Sequence, residues 1–400
     1  MRYLVVAPQP FFTPRGTPFS VYYRTLILSE LGADIDLLTY GQGADPDIPN
    51  VRIFRVPRFR WLGSVKTGPS MLKLFLDIFI AARAIGLLIR NRYDVVHAHE
   101  EAVFICRFLK PIFRFKLVYD MHSSLTQQLT NFDYTDSTII RSIFKKLEDS
   151  SINNADAVIT ICPDLADYVS KIITDPDRHY LIENSIHEPV KLKNSSSSEI
   201  AHNWDDRPFE RPDNCFLFVY AGTLEAYQGI DLLIEAFEKV AAERPDAFLL
   251  VVGGTGAQVE HYRAQMKERK LDAQSHLTGM VSQHLAHEYM KAADVLLSPR
   301  TEGTNTPLKV YQQLASGIPI VATDIFSHTQ VLNDDVAFLA APDADAFGDA
   351  MLAAMSNQDL ATKKAQNAIR LYEQEYSRDN YVRKLGTMLQ GLRECVELPE

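Results

Sequence analysis

Short runs of Val, Ile and Leu alternate with helix-period segments along this chain, and the alternation stops once, in a polar stretch, before it starts again. The first series of runs covers 3–7, 35–39, 51–56, 95–99, 116–121, 157–161 and 180–183. The second covers 215–220, 247–252, 276–278, 295–298, 318–323 and 336–340. Continuous apolar runs separated by helices describe strands buried on both faces, and parallel neighbours need such crossovers. The pattern therefore predicts an α/β chain built as two facing Rossmann-like domains with an interdomain cleft.

Four hundred residues are too many for one hydrophobic core, which agrees with two domains. The first domain is expected over 1–193. A linker follows over 194–213, opening on Asn194-Ser195-Ser196-Ser197-Ser198, and a second domain over 214–376. Ser377 is a suitable N-cap for a last helix, 377–400, expected to return to the first domain. Four scattered cysteines with no Cys-x-x-Cys pair exclude a disulfide scaffold and a structural zinc site. The N-terminal apolar run is too short for a signal peptide, and the apolar stretch 71–89 carries Lys73, Asp77 and Arg83, which argues against a membrane span. A cytoplasmic protein is expected.

Charge is unevenly placed. The net charge is −10, yet residues 51–116 hold 13 basic and 4 acidic side chains. Arg52, Arg55, Arg58, Arg60, Trp61 and Lys66 precede an amphipathic apolar segment, and Arg107, Lys110, Arg114 and Lys116 accompany Phe108, Ile112 and Phe113. Basic residues interleaved with aromatic ones suit an anionic membrane surface on the inner face of the cell membrane; the alternative is a buried crossover helix with a solvated basic rim. A pI near 5.6 and the lack of a reading-helix motif weigh against nucleic acid.

Two loops have the composition of anion sites. After the first strand, 10–17 leads into a helix with Arg15 and Gly16, where a small residue, free helix N–H groups and a cation could cradle a phosphate; the plain alternative is a strand-to-helix turn. After the run 295–298 comes Pro299-Arg300-Thr301-Glu302-Gly303-Thr304-Asn305-Thr306-Pro307-Leu308-Lys309, rich in hydroxyl and amide groups. It places Lys309 in the first turn of a helix closed by Gly317. A cation there opposes the helix dipole by a few tenths to about 1 kcal/mol unless an anion shares the site. The bland alternative is a lysine reaching out to solvent.

With these segments in view, the chain resembles the family 4 glycosyltransferases, which have the GT-B architecture of two facing Rossmann-like domains. The resemblance rests on the Gly16 loop, Tyr220-Ala221-Gly222-Thr223-Leu224 leading to Gln228-Gly229-Ile230-Asp231, the turn Gly253-Gly254-Thr255-Gly256, Ala293-Asp294-Val295, and Leu314-Ala315-Ser316-Gly317-Ile318-Pro319-Ile320-Val321-Ala322. It covers nearly the whole chain. It implies transfer of a sugar, with retention, from a nucleoside diphosphate sugar to a hydroxyl of a lipid-linked or envelope glycan acceptor, and needs no metal and no cofactor beyond the sugar nucleotide as substrate.

By position, the implied donor-binding set is Arg15, Gly16, Gly222, Thr223, Gln228, Val281, Arg300, Glu302, Gly303, Thr304, Asn305, Thr306, Lys309 and Gln312. His122, in Asp120-Met121-His122-Ser123-Ser124, matches the family position that contacts the donor sugar and is the catalytic candidate; His99 and Ser123 are assigned to the acceptor side. The chain departs from the family where an Arg and a Lys usually neutralise the diphosphate, for these positions hold Thr223 and Gln228. Its second motif glutamate falls on Gln312, and Glu302 stands two residues too far from it. Arg15, Arg300 and Lys309 are expected to compensate.

His97, His99, Glu100 and Glu101 could suggest a metal cluster, but spacing fixes no third ligand. Asp34-Ile35-Asp36, Asp45-Pro46-Asp47, Asp175-Pro176-Asp177 and Asp343-Ala344-Asp345 are read as turn or cap chemistry rather than metal pairs. Rival readings are a sugar-nucleotide epimerase or phosphorylase, which needs no acceptor, and a binding subunit that turns over nothing.

Overall fold

The computed structural model describes residues 1–13, 16–59, 71–124, 138–186, 188, 190 and 209–397. Arg15, the linker up to residue 208, and Arg60, Trp61 and Lys66 lie outside the described residues. The chain divides into two units: one holds Met1–Asn184 with the C-terminal helix from Arg378, the other the chain from Ala201 to Ser377 with the short piece Ser185–Pro189.

The first unit carries seven parallel strands: β1 (Arg2–Ala7), β2 (Asp34–Thr39), β3 (Val51–Arg55), β4 (Val95–His99), β5 (Lys116–Met121), β6 (Ala157–Thr160) and β7 (His179–Leu181). Their order is β3-β2-β1-β4-β5-β6-β7. The second unit repeats the plan with β8 (Phe216–Ala221), β9 (Ala247–Val252), β10 (Ser275–Gly279), β11 (Val295–Ser298), β12 (Ile320–Thr323) and β13 (Phe338–Ala340), ordered β10-β9-β8-β11-β12-β13. In each sheet the order reverses beside the first strand, between β1 and β4 and between β8 and β11. Loops leaving the strands there diverge and open a crevice at the carboxyl ends, where ligands bind in open α/β sheets.

The strands hold because they are apolar on both faces. Leu4, Val6, Val96 and Leu117 in the first unit, and Phe218, Leu249, Val251 and Leu297 in the second, are at most 1% exposed. Fully burying a Val or Leu side chain contributes about 1.5–3 kcal/mol, so each strand supplies several such increments. Their crossover helices cover both faces; Ile230–Glu243, for example, buries Ile230, Leu233, Ile234 and Phe237 on the second sheet.

The strands expected over 318–323 and 336–340 begin later, at Ile320 and Phe338. The strand expected over 180–183 is β7, His179–Leu181. Asp36 is no turn residue: it is 1% exposed inside β2, accepts from Tyr93 Oη and Arg52 Nε at 2.5 and 2.6 Å, and pairs with Arg2 at 3.4 Å. Burying a carboxylate is tolerated only with such partners. Asp175 and Asp343 do cap local turns, accepting from the Asp177 and Ala346 N–H groups, and Asp45 pairs with Arg55.

Candidate functional site

In the second unit the site is built from the loops leaving β8 and β11. After β8 come Gly222, Thr223 and a short turn, Ala226–Gln228, closed by Gly229 at φ 74°. A Cβ on Gly229 would lie 1.9 Å from the Pro299 carbonyl oxygen, so glycine is what lets the two loops touch. Thr301 N–H donates to Tyr227 O at 3.0 Å across the same seam.

Arg300 braces its own loop. Its Nε donates to Glu302 O, its Nη1 lies 3.5 Å from Asn305 O, and its guanidinium covers the Tyr227 ring at 5.2 Å. Gly303, at φ 116°, leaves the room this needs, since a Cβ there would fall 1.9 Å from Arg300 Nη2. Behind the loop, Thr323 Oγ1 donates to Arg300 O, and His328 bridges Ser298 Oγ at 2.9 Å and Thr323 O at 2.9 Å. Burial pushes the His328 imidazole down to about 3, so it is neutral, and it ties the ends of β11 and β12 together. Nothing in the sequence marked His328 for this part.

The helix Leu308–Ser316 starts at Pro307 with no side-chain cap; Val310 N–H donates to Pro307 O at 3.0 Å, and the Leu308 and Lys309 N–H groups have no partner within the helix. Lys309 Nζ donates to Gln228 Oε1 at 3.2 Å and sits 4.2 Å from the centroid of the Tyr220 ring. Burial, then the Arg300 guanidinium, pulls its ammonium down to about 7. No carboxylate among the described residues pairs with Lys309 or Arg300. Thr306, two residues before the helix, is 8% exposed, and its hydroxyl finds no partner among the described residues. An uncapped helix start, a hydroxyl and two cations that meet no acid among the described residues are the kind of groups that suit an anion.

Gln312 is half-buried, and its Nε2 meets His287 Nδ1 at 3.1 Å. Glu302, Gly303 and Thr304 are exposed and Asn305 half-buried. Val281 is half-buried and packs on the cluster of Leu217, Val219 and Leu296. In the first unit, Gly16 starts the helix Gly16–Glu30, and a Cβ added to it would meet nothing within 4 Å.

The first unit has its own polar centre at the ends of β4 and β5. Asp120, fully buried, accepts from Arg24 Nε at 3.0 Å and meets His97 Nε2 at 2.9 Å. His122 Nε2 lies 2.9 Å from His99 Nδ1 and 3.4 Å from Asp120 Oδ1. Burial raises the Asp120 carboxyl, but Arg24 and the histidines outweigh it and hold it well below the usual carboxylate range. Burial lowers His99 well below its ordinary value and brings His122 down to about 4, so both are neutral at pH 7. His99 reaches His122 rather than the surface, at 1% exposure; Ser123 beside it is half-buried.

Atoms of His97, His99 and Asp120 lie close enough to hold a cation, and the third member is Asp120 rather than Glu100 or Glu101. The Arg24 guanidinium already supplies a fixed positive charge at that carboxylate, and a second cation would meet its repulsion. Glu101 pairs instead with Lys73 at 3.0 Å.

Many charges of the basic district are spent internally. Arg52 pairs with Asp34 and Asp36, Arg55 with Asp45, and Lys110 and Lys116 with Asp156. Arg83, Arg90, Arg92 and Arg114 are exposed, and beside them large apolar side chains also face outward. Leu74, Ile78, Ile85 and Ile89 are 36–70% exposed on the helix Met71–Arg90, and Phe108 and Ile112 are 59% and 69% exposed on Ala102–Phe113. The spacing of the first four puts them on one stripe. No helix among the described residues is long and apolar enough to cross a membrane.

Two family models match the chain: Glycosyltransferase Family 4 over residues 16–188 and Glycosyl transferases group 1 over residues 203–371. The phosphatidyl-myo-inositol mannosyltransferase of Mycobacterium tuberculosis is 23% identical over 390 residues, covering 93% of each chain. The gpi3 subunit of the Schizosaccharomyces pombe phosphatidylinositol N-acetylglucosaminyltransferase is 22% identical, covering 85% of this chain and 70% of its own. Among solved structures, sucrose-phosphate synthase from Thermosynechococcus elongatus superposes at TM-score 0.72 with 17% identity, over 98% of this chain and 99% of that one. Anabaena HepE in complex with UDP follows at 0.70 and 14%, over 98% and 100%.

Proposed function

As this chain belongs to the family 4 glycosyltransferases and has the GT-B fold, we propose that it moves a sugar from a nucleoside diphosphate sugar to a hydroxyl of a lipid-linked or envelope glycan acceptor, with retention and without a metal ion. The observation that carries the donor half of this reading is Lys309: a buried-end ammonium beside an uncapped helix start, with Gln228 as its hydrogen-bond partner and no acid near it among the described residues. Such a group is costly to keep unless a ligand brings the missing negative charge.

The chemistry follows from where charge develops. As the glycosidic bond to the donor phosphate breaks, the leaving diphosphate gains negative charge; preorganised N–H groups and cations aimed at it stabilise that charge more in the transition state than in the ground state. The start of Leu308–Ser316, Lys309 and the Thr306 hydroxyl supply such groups here, and Arg300 stiffens the loop that presents them. Gln312, held by His287, offers an uncharged acceptor for a ribose hydroxyl, which is weaker than a carboxylate. His122 is assigned to the donor sugar; being neutral, it can donate or accept one hydrogen bond without competing for the diphosphate. The metal-independent reading draws on Arg24, whose charge already serves Asp120.

The lipid character of the acceptor draws on the relatives named for phosphatidylinositol and on the exposed apolar stripe of Met71–Arg90, which suits a protein peripheral on the inner face of the cell membrane. A thermal-shift panel of UDP-, GDP-, ADP- and dTDP-sugars identifies the donor, since a ligand at 100 times its Kd stabilises by about 2.7 kcal/mol. Transfer from that donor to lipid extract, with the product anomer read by NMR and chelator added in parallel, then tests acceptor, retention and metal independence. No shift with any donor would reject the reading.

A further inference from the structure

Side chains from two different turns end at one point above Tyr220. Gln228, on the turn after β8, brings Oε1 to 3.2 Å from the Lys309 Nζ, which arrives from the helix after β11. The ammonium lies 4.2 Å from the Tyr220 centroid. That ring is fully buried, and its hydroxyl is tied down, donating to Thr223 O at 2.6 Å and lying 3.5 Å from Gln228 Oε1. Gly222 lies close by; a Cβ there would reach 2.9 Å from the hydroxyl. An aromatic face attracts a cation, and more strongly where water is excluded.

We infer that Tyr220 is a positioning residue for the donor-side cation: its fixed ring face, rather than the helix that carries the lysine, sets where the charge stands, so that a lysine at position 228 would occupy the same point. A lysine is one bond longer than a glutamine, and the Gln228 amide already ends within hydrogen-bond distance of that point. The inference rests on the reading that this cation meets a nucleoside diphosphate.

The test compares affinities for UDP and GDP with those for uridine and guanosine by calorimetry; the ratio isolates what the phosphates contribute. Lys309→Gln should lose at least tenfold of that ratio, as expected for a charged hydrogen bond. Lys309→Gln combined with Gln228→Lys should recover most of it. Tyr220→Phe should stay within about twofold of the parent, and Tyr220→Leu should lose several-fold in the ratio while nucleoside affinity holds. If the ratio falls in Lys309→Gln and the relocated lysine restores nothing, the ring does not set the position and this inference fails alone. If Lys309→Gln leaves the ratio intact, the donor reading fails with it. The relocation pair keeps the ring, so it decides the matter even if Tyr220→Leu does not fold.

Discussion

Arg24 and Asp120 form a buried ion pair, Nε to Oδ2 at 3.0 Å, with the two side chains 1% and 0% exposed. Ninety-six positions apart in sequence, they join the first helix of the chain to the end of β5. Tyr381 of the C-terminal helix covers the guanidinium at 5.1 Å, and Arg24 Nη2 also donates to Ile182 O. The carboxylate that faces His97 and His122 is thus fixed by three distant parts of the first unit.

Removing one partner of this pair strands a charge in the core. Arg24→Met should destabilise the protein by about 3–5 kcal/mol in denaturant unfolding. Adding Asp120→Asn to it should return part of that loss, because the stranded charge is then gone. Equal losses that simply add would show that the two side chains do not depend on each other.

The same cluster predicts an acid limb. The Asp120 carboxyl is depressed in the folded state, so its stabilisation is present above its unfolded value near 3.9 and is lost as pH falls below it. His122 is depressed to about 4 from about 6.5, so the unfolded chain binds a proton first and stability falls with pH between those two values. His122→Asn should lessen the slope of the stability profile between about pH 6.5 and 4, where His99 and His328 still contribute, and leave the limb below it. A profile unchanged in that window would place His122 in contact with solvent.

Lys309 predicts proton uptake on binding. Its ammonium is held down to about 7, so at pH 8 most free protein carries it neutral. A diphosphate favours the charged form, and binding must then draw a proton from buffer. Titrations at pH 8 in buffers of different ionisation enthalpy should show an uptake approaching one proton, falling toward zero at pH 6, and absent in Lys309→Arg. Uptake of the same size in Lys309→Arg would point to another group.

The apolar stripe predicts how the protein meets a membrane. Ile78 and Ile89 are 66% and 70% exposed, and burying such side chains contributes about 1.5–3 kcal/mol each. Vesicles containing anionic lipid should float the protein. Ile78→Glu with Ile89→Glu should abolish flotation, whereas raised salt should only weaken it, since much of the neighbouring basic charge is already paired with Asp34, Asp36, Asp45 and Asp156. Flotation that survives the double substitution would reject the stripe as the contact.

What the sequence made legible was periodic or positional. Buried parallel strands show as Val/Ile/Leu runs, and Lys309 stood out because a cation at a helix start works against the dipole. Pairings across the fold left no such trace. Arg24 looks like any arginine on an amphipathic helix, yet it is 1% exposed, because its partner arrives on a strand far along the chain. Asp36 has turn-like neighbours and became a buried acceptor through Arg2, Arg52 and Tyr93. Arg300 has a charge that is plain in the sequence, but it spends two donors on its own loop, which depends on Gly303 leaving space for the guanidinium. His328 gave no signal, since a tie between two strand ends exists only once the strands are neighbours.

Lys309 is proposed to receive the donor diphosphate. This is tested most directly by calorimetric titration of the parent protein and Lys309→Ala with the nucleoside diphosphate selected by the thermal-shift panel, with the unfolding midpoint of the variant measured alongside. The predicted result is a folded variant whose affinity for that diphosphate is lower by at least tenfold. A folded Lys309→Ala variant that binds it as tightly as the parent would show that Lys309 does not meet the diphosphate.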